Sequence, residues 1–440
     1  MANIRPFRGI RYNPGKITDL SDVITQPYDR IHDPEQAAYY ALNPYNFVRI
    51  DMGLKQPDEA DNNVYTRARA YAQTWMAEGV LLREPKPVIY VLEQVSTAPN
   101  GKTYCRRGFT AALELTTFEE GVILPHERTL SGPKADRLNL TEATKTAWGH
   151  IFILYPDAEN EINGLLEPYL ASHEPFKAHE QVIEPTVEQR FWVVDDPQLV
   201  EAVTKAMEPK RNLIIADGHH RYETALNYRE AMRAQQPDAP ADAAFNYVLA
   251  TFVSMSDPGL VILPTHRLIH SFTAMTSDAV LKALEADFDI LPVDNRSVLE
   301  AELLKATPEQ LRFGFYDGRY FVLTLRSLET MAKITPERAE SWRALDVAVL
   351  HEAILEHVMG LSKESVAKQE NLRYLRDANA GYAAVDQGEA NFLFLINPTR
   401  MDQVRDCTEA GEKMPQKSTD FYPKVISGLV ALPLTGKIGE

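Results

Sequence analysis

Five consecutive residues, Asp217-Gly218-His219-His220-Arg221, concentrate more chemistry than any other stretch of the chain. They follow the run Asn212 to Ala216 (NLIIA), which reads as a buried strand. They precede a segment in which Tyr222, Ala225, Leu226 and Met232 share one helical face. A helix start offers unpaired backbone N–H groups and the positive end of the helix dipole, which together suit an anion. Gly218 lets the backbone approach a ligand closely, and Arg221 brings a forked donor matched to phosphate oxygens. His219 and His220 can donate to phosphate or bind a metal ion. The pentapeptide reads as a phosphate cradle; the plainer alternative is that Asp217 caps the helix and the histidines pack locally.

Other segments carry groups of the same kind. His126-Glu127-Arg128-Thr129, with Lys134, Asp136 and Arg137 close behind, reads as a loop that offers a carboxylate, a histidine and several cations for phosphate or metal; solvated surface is the competing reading. Pro27-Tyr28-Asp29, taken with Asn46 and Arg49, places a carboxylate in a proline-fixed turn, where Asp29 can orient a hydroxyl. Pro264-Thr265-His266-Arg267 ends a strand, a place where ligands gather or where a salt bridge closes the strand. The phrase Gly411 to Lys424 contains Lys417, Ser418 and the costly-to-expose trio Phe421-Tyr422-Pro423, so it is expected to fold back and bring Lys417 and Ser418 to an anionic ligand. His351 and His357 lie six apart, about 240° around a helix, and cannot share a metal as an i, i+4 pair would.

The elements that must position these groups alternate without a strict βαβ rhythm, so the fold class is mixed α/β, or α+β. Prolines crowd the first fifty residues and predict loops and short strands there. A helix is expected over about Asp58 to Glu78, and a hairpin from Pro87–Gln94 and Arg107–Leu115 around Asn100-Gly101. Later helices are expected near 159–171, 198–207, 278–286 and 345–358, and a hairpin around Asp317-Gly318. Neither Gly-x-Gly-x-x-Gly nor a Gly-x4-Gly-Lys-Ser/Thr loop occurs, which sets aside the commonest nucleotide folds.

The chain has 440 residues, and its 46 Lys plus Arg against 62 Asp plus Glu give a formal charge of −16. Such a balance makes nucleic acid an unlikely partner, while leaving room for one basic pocket. Two cysteines far apart support neither a disulfide framework nor a thiolate zinc site, and no apolar stretch reaches membrane-span length. A cytoplasmic protein is the expectation.

The stretch Ala216 to Tyr222 resembles the nucleotide-binding motif of the ParB/sulfiredoxin superfamily, which includes partitioning nucleotidases, sulfiredoxin and an ADP-dependent free-serine kinase. More broadly, the chain resembles domain-of-unknown-function family 1015 through Gln26-Pro27-Tyr28-Asp29, Asn43 to Arg49, His126 to Thr129, Asp217 to Arg221, Pro264 to Arg267 and Met414 to Pro423. His219 stands where a sulfiredoxin would place its cysteine, which argues against sulfinic acid repair. The resemblance implies a ParB/sulfiredoxin-like mixed sheet over residues 1–270, then a smaller α/β unit over 271–345 and a C-terminal segment, 346–440, folding back on the core. It implies an ATP- or ADP-dependent phosphotransferase using Mg²⁺ on a small hydroxylated metabolite, with free L-serine as first choice. Asp217, Gly218, His219, His220, Arg221, Lys134, Arg137, His266, Arg267, Lys417 and Ser418 would hold phosphates. Glu127, then Asp29, would orient the hydroxyl, with His126 beside them. The alternatives are a nucleotide-binding switch that transfers nothing, and a metal-dependent phosphohydrolase. Oligomeric state is not legible.

Overall fold

A computed structural model describes residues 1–57, 59–98, 101–127 and 132–440. The chain divides into two units: Met1–Pro125, Thr129–Val261 and Pro423–Glu440 form the first, and His126–Arg128 with Ile262–Tyr422 the second.

The first unit is built on a mixed sheet. Its strands are β1 (Ile4–Arg5), β2 (Ile89–Thr97), β3 (Thr103–Glu114), β4 (Ile123–Pro125), β5 (Ile151–Tyr155), β6 (Phe176–His179), β7 (Glu188–Val194), β8 (Leu213–Asp217) and β9 (Tyr247–Ser254). They run in the order β4-β8-β5-β9-β3-β2-β7-β6, with β1 on β3. The β4–β8 and β5–β9 pairs are parallel, and the central β3–β9 and β2–β3 pairs are antiparallel. Alternation assigns the faces. Val91, Phe109, Ala111, Ile153, Ile215, Ala250 and Phe252 pack into one apolar core. A register shift after Ile215 turns Asp217 to pair with Phe152, whose side chain belongs to the other face.

Helices α1 (Gly132–Thr144) and α2 (His219–Gln235) lie in this unit. The expected loop around Lys134 and Arg137 is therefore helical from 132 onward, because Pro133 falls in the first turn, where its missing N–H is not needed. The same device starts Asp33–Leu42, a helix in the stretch expected to hold only loops and strands: Pro34 opens it, and it ends before Pro44. The helix expected from Asp58 spans Val64–Ala77, since the Asn63 side chain accepts from the amides of Tyr65 and Thr66 and so fixes the start. Asn100, expected at the tip of the first hairpin, lies outside the described residues.

Residues 423–440 return to this unit and are largely buried. Ser427 and Thr25 exchange backbone hydrogen bonds, as do Ala431 and Ile10, and Leu432 pairs with Ala147. Val425, Ile426, Leu429 and Val430 are all buried.

The second unit holds an antiparallel sheet of β10 (His266–Ile269), β11 (Phe288–Val293), β12 (Arg312–Tyr316), β13 (Tyr320–Leu325), β14 (Leu372–Leu375) and β15 (Phe392–Leu395), in the order β11-β13-β12-β15-β10-β14. It draws strands from both sides of the expected boundary at 345/346. Leu268, Leu299, Val322, Leu393 and Leu395 form its core. Among the described residues, no helix is long and apolar enough to cross a membrane.

Candidate functional site

Strand β8 and helix α2 meet at Gly218, whose φ of 92° is left-handed, a conformation glycine adopts without strain. The turn starts α2 at His219 and brings Arg221, in the first turn of the helix, back over Asp217. Arg221 donates to Asp217 Oδ2, and Lys424 Nζ meets Asp217 Oδ1 at 3.2 Å. Burial pushes the Asp217 carboxyl up, but Lys424, Arg221 and His219 outweigh it and hold the group well below the usual carboxylate range. The Arg221 stem runs between two glycines. A Cβ on Gly218 would stand 3.0 Å from its Nε, and one on Gly149 would stand 3.1 Å from its Cδ. Neither glycine can be exchanged without moving the guanidinium.

Around Arg221 the first unit collects further polar groups. Arg221 is held protonated against its own burial by the carboxylates of Asp217, Asp29 and Asp51. A cavity of about 50 Å³ lined by Tyr28, Asp51, Arg137, Gly149 and Arg221 adjoins the helix. An open cleft of about 530 Å³ shares Tyr28, Asp51 and Arg137 with it and extends past His32, Gln36 and Tyr65. The wall between them is a braced pair. Arg137 donates to Asp51 Oδ1 at 2.6 Å and to Asp136 Oδ2 at 2.8 Å, and its guanidinium lies over the Tyr28 ring at 4.2 Å. Burial drives the Tyr28 phenol up to about 12, so it stays protonated at neutral pH.

The expected site residues separate into two groups. Asp29, Lys134, Arg137 and Asp217 to Arg221 all lie in the first unit. Asp29 is exposed on the turn Tyr28–Arg30. Lys134 is ion-paired with Glu223 on α2. Arg137 is occupied by Asp51 and Asp136, so it braces the wall. Asn46 and Arg49, grouped with Asp29 on sequence, serve the backbone: Asn46 donates to Asp22 O at 2.8 Å and Arg49 to Pro44 O at 2.7 Å.

His126, Glu127, His266, Arg267, Lys417 and Ser418 belong to the second unit, where they do converge. Ser418 N donates to Glu127 Oε1 at 3.2 Å, His126 Nε2 meets Thr419 Oγ1 at 2.7 Å, and Arg267 Nη2 donates to Lys417 O at 3.1 Å. Arg267 also donates to His351 Nε2 at 3.1 Å, which requires a neutral imidazole; burial and the adjacent guanidinium keep His351 unprotonated. His266 accepts from Ile396 N at 3.3 Å inside the sheet, and burial, then Arg267, bring it down to about 4. Arg128 and Thr129 lie outside the described residues.

A family model described as "Protein of unknown function (DUF1015)" matches residues 4–348. The chain belongs to the DUF1015 family. No curated protein matches it. Among solved structures, the DUF1015 chain is similar to a conserved hypothetical protein from Pyrococcus furiosus, at 14% identity over 69% of this chain and 89% of that one, with a TM-score of 0.32. It is also similar to a free serine kinase in complex with AMP, at 11% identity over 72% and 88% of the two chains and a TM-score of 0.34. SbnI with a C-terminal truncation, from Staphylococcus aureus, matches at 10% identity over 72% and 84%, with a TM-score of 0.32.

Several residues at the DUF1015 site were not singled out from sequence. Gly149 is one glycine among 21 and gives no signal until its neighbour is known. Asp51 became visible only with its Arg137 partner. Lys424 stood in the Gly411–Lys424 phrase, seven residues beyond the lysine chosen there.

Proposed function

We propose that the first unit binds a nucleotide through its phosphate chain at the β8–α2 turn and transfers a phosphoryl group to a small hydroxylated metabolite. Backbone amides of Gly218 and the first turn of α2, with His219, His220 and Arg221, hold the phosphate oxygens. The observation that carries the reading is the Arg221 guanidinium, threaded between Gly149 and Gly218 at a helix N-terminus. Asp29 takes the acceptor's hydroxyl proton as the new O–P bond forms and the bond to the leaving group, ADP from ATP or AMP from ADP, breaks. Asp29 is preferred to Glu127 because it lies in the same unit, exposed, and acts electrostatically on Arg221.

Among the described residues, no three His, Cys, Asp or Glu side chains gather to hold a metal ion by themselves. Mg²⁺ carried in on a nucleotide takes most of its ligands from phosphates and water and needs only one or two carboxylates, a demand that the exposed Asp29 carboxylate would meet. When bound, the ion would neutralise charge on the phosphate oxygens, and Asp29 is the exposed carboxylate nearest in role.

Free L-serine is the first acceptor to test, a choice that rests on the resemblance of residues 216–222 to the free-serine kinase motif. Purified protein is incubated with ATP or ADP, Mg²⁺ and serine, and O-phosphoserine is sought by mass spectrometry; it is expected with at least one nucleotide. Titration with labelled nucleotide is expected to show binding that Arg221→Ala abolishes and Gly149→Ala weakens several-fold. Unchanged binding in Arg221→Ala overturns the site. Binding without any product leaves a nucleotide-gated switch, and phosphate released without an acceptor indicates a phosphohydrolase.

A further inference from the structure

The sheet face opposite the apolar core of the first unit carries buried polar groups that phosphate binding at the turn leaves unused. Gln189 on β7, Gln94 on β2 and Arg106 on β3 stand in register across neighbouring strands. All are nearly inaccessible, at 1%, 2% and 2% exposure. Gln94 Nε2 donates to Gln189 Oε1 at 2.9 Å, and Arg106 Nη2 donates to Gln94 Oε1. The Arg106 guanidinium lies 4.6 Å from the centre of the Phe152 ring, its Nη1 has no hydrogen-bond partner, and among the described residues no carboxylate lies within ion-pair distance of it. A buried cation without a paired anion is costly, and this sheet position would ordinarily be apolar.

What the row does hold is one short piece of backbone. Arg106 Nη2 also donates to Pro423 O, and Gln94 Nε2 donates to Lys424 O at 2.9 Å. Those bonds fix residues 423–424 where the Lys424 side chain reaches Asp217 Oδ1, one residue before the glycine of the turn. Anchoring this segment needs no lysine, because Val425 and Ile426 already bury their side chains beside it. The other lysines expected at the phosphates are placed differently. Lys134 is paired with Glu223, and Lys417 is an exposed residue of the second unit.

We propose that Lys424 is the lysine of the phosphate site, and that Arg106 and Gln94 are positioning residues that aim it. The ammonium rests on Asp217 and pivots on its flexible stem to a phosphate oxygen when the nucleotide enters, while Arg221 stays on the other carboxylate oxygen. This inference rests on the nucleotide reading above.

The test is competition against labelled ATP by unlabelled ATP and by adenosine, on the full-length wild type, Lys424→Met, Lys424→Arg, Arg106→Lys and Arg221→Ala, with melting temperatures recorded for each. Lys424→Met is expected to weaken ATP about tenfold and leave adenosine unchanged. Lys424→Arg is expected to recover most of the loss, and Arg106→Lys to lower the ATP-to-adenosine ratio through a misplaced Lys424. Lys424→Gln repeats the measurement if the Met variant does not fold. An unchanged ratio in Lys424→Met overturns the assignment. So does a parallel loss of ATP and adenosine accompanied by a lower melting temperature, which is the behaviour of a plain strut. Nucleotide binding lost in Arg221→Ala but retained with the wild-type ratio in Lys424→Met defeats this inference alone. A wild type that binds no nucleotide defeats both.

Discussion

His150 shows how closely single side chains around Arg221 are constrained. It is 2% exposed, its Nδ1 meets Thr251 Oγ1 at 2.8 Å, and burial, then the charge of Arg221, bring its pKa down to about 3. In the unfolded chain the same imidazole titrates at about 6.5. Above that pH it is neutral in both states and has no effect on stability. As pH falls below about 6.5 the unfolded chain binds a proton that the folded protein refuses, so stability is lost down to the folded value, by roughly 1 kcal/mol per pH unit. Thermal melts between pH 7 and 4 are expected to fall more steeply for the wild type than for His150→Asn; equal slopes would show that this imidazole does not govern the acid limb. The charge on Arg221 that suppresses His150 is the same charge assigned to the phosphates. Bound nucleotide is therefore expected to soften the slope.

At the scale of elements, the wall between cavity and cleft depends on α1 docking through Arg137 onto Asp51. Both side chains are buried, at 8% and 4% exposure. Arg137→Met strands the Asp51 carboxylate and is expected to cost about 3 kcal/mol in chemical denaturation, while adding Asp51→Asn returns most of it. If the double variant is no more stable than the single, the ion pair is not what holds the helix. This helix is also where sequence and structure part. The run ending at Ala216 and the amphipathic pattern after Arg221 announced β8 and α2 plainly, because an apolar stretch and a helical period are local signals. Residues 132–137, the start of this helix, read as part of a loop because Gly132, Pro133 and a cluster of charges are turn vocabulary. Arg137 pairs with its neighbour Asp136, but the partners that dock the helix, Asp51 for Arg137 and Glu223 for Lys134, lie far along the chain. Arg106 was hidden for a related reason: strand alternation places it on the face away from Phe109 and Ala111, and nothing local says that this face is covered.

Across the whole molecule, the mixed α/β class was legible from the alternation of elements, whereas strand order and the path of residues 423–440 were not. Both are decided by pairings between residues distant in sequence, such as Val248 with Leu113 in the sheet and Ala431 with Ile10 at the return. The return of 423–440 has a measurable weight. Ile426 is fully buried, so Ile426→Ala is expected to lower stability by about 3 kcal/mol and to weaken nucleotide binding with it, since Lys424 lies two residues away. A melting temperature unmoved by that change would mean the segment only rests on the surface. The same path has a consequence for synthesis. Strand β8, helix α2 and most of their sheet leave the ribosome before residues 262–422 are made, yet the segment that covers the polar row and supplies Lys424 follows them. A nascent chain therefore carries Arg106 uncovered and Asp217 without its lysine while the intervening unit is translated. On the proposed reading, competence for phosphate is acquired only after residues 423–424 are made, and a ribosome stalled within 262–422 displays the β8–α2 turn without Lys424.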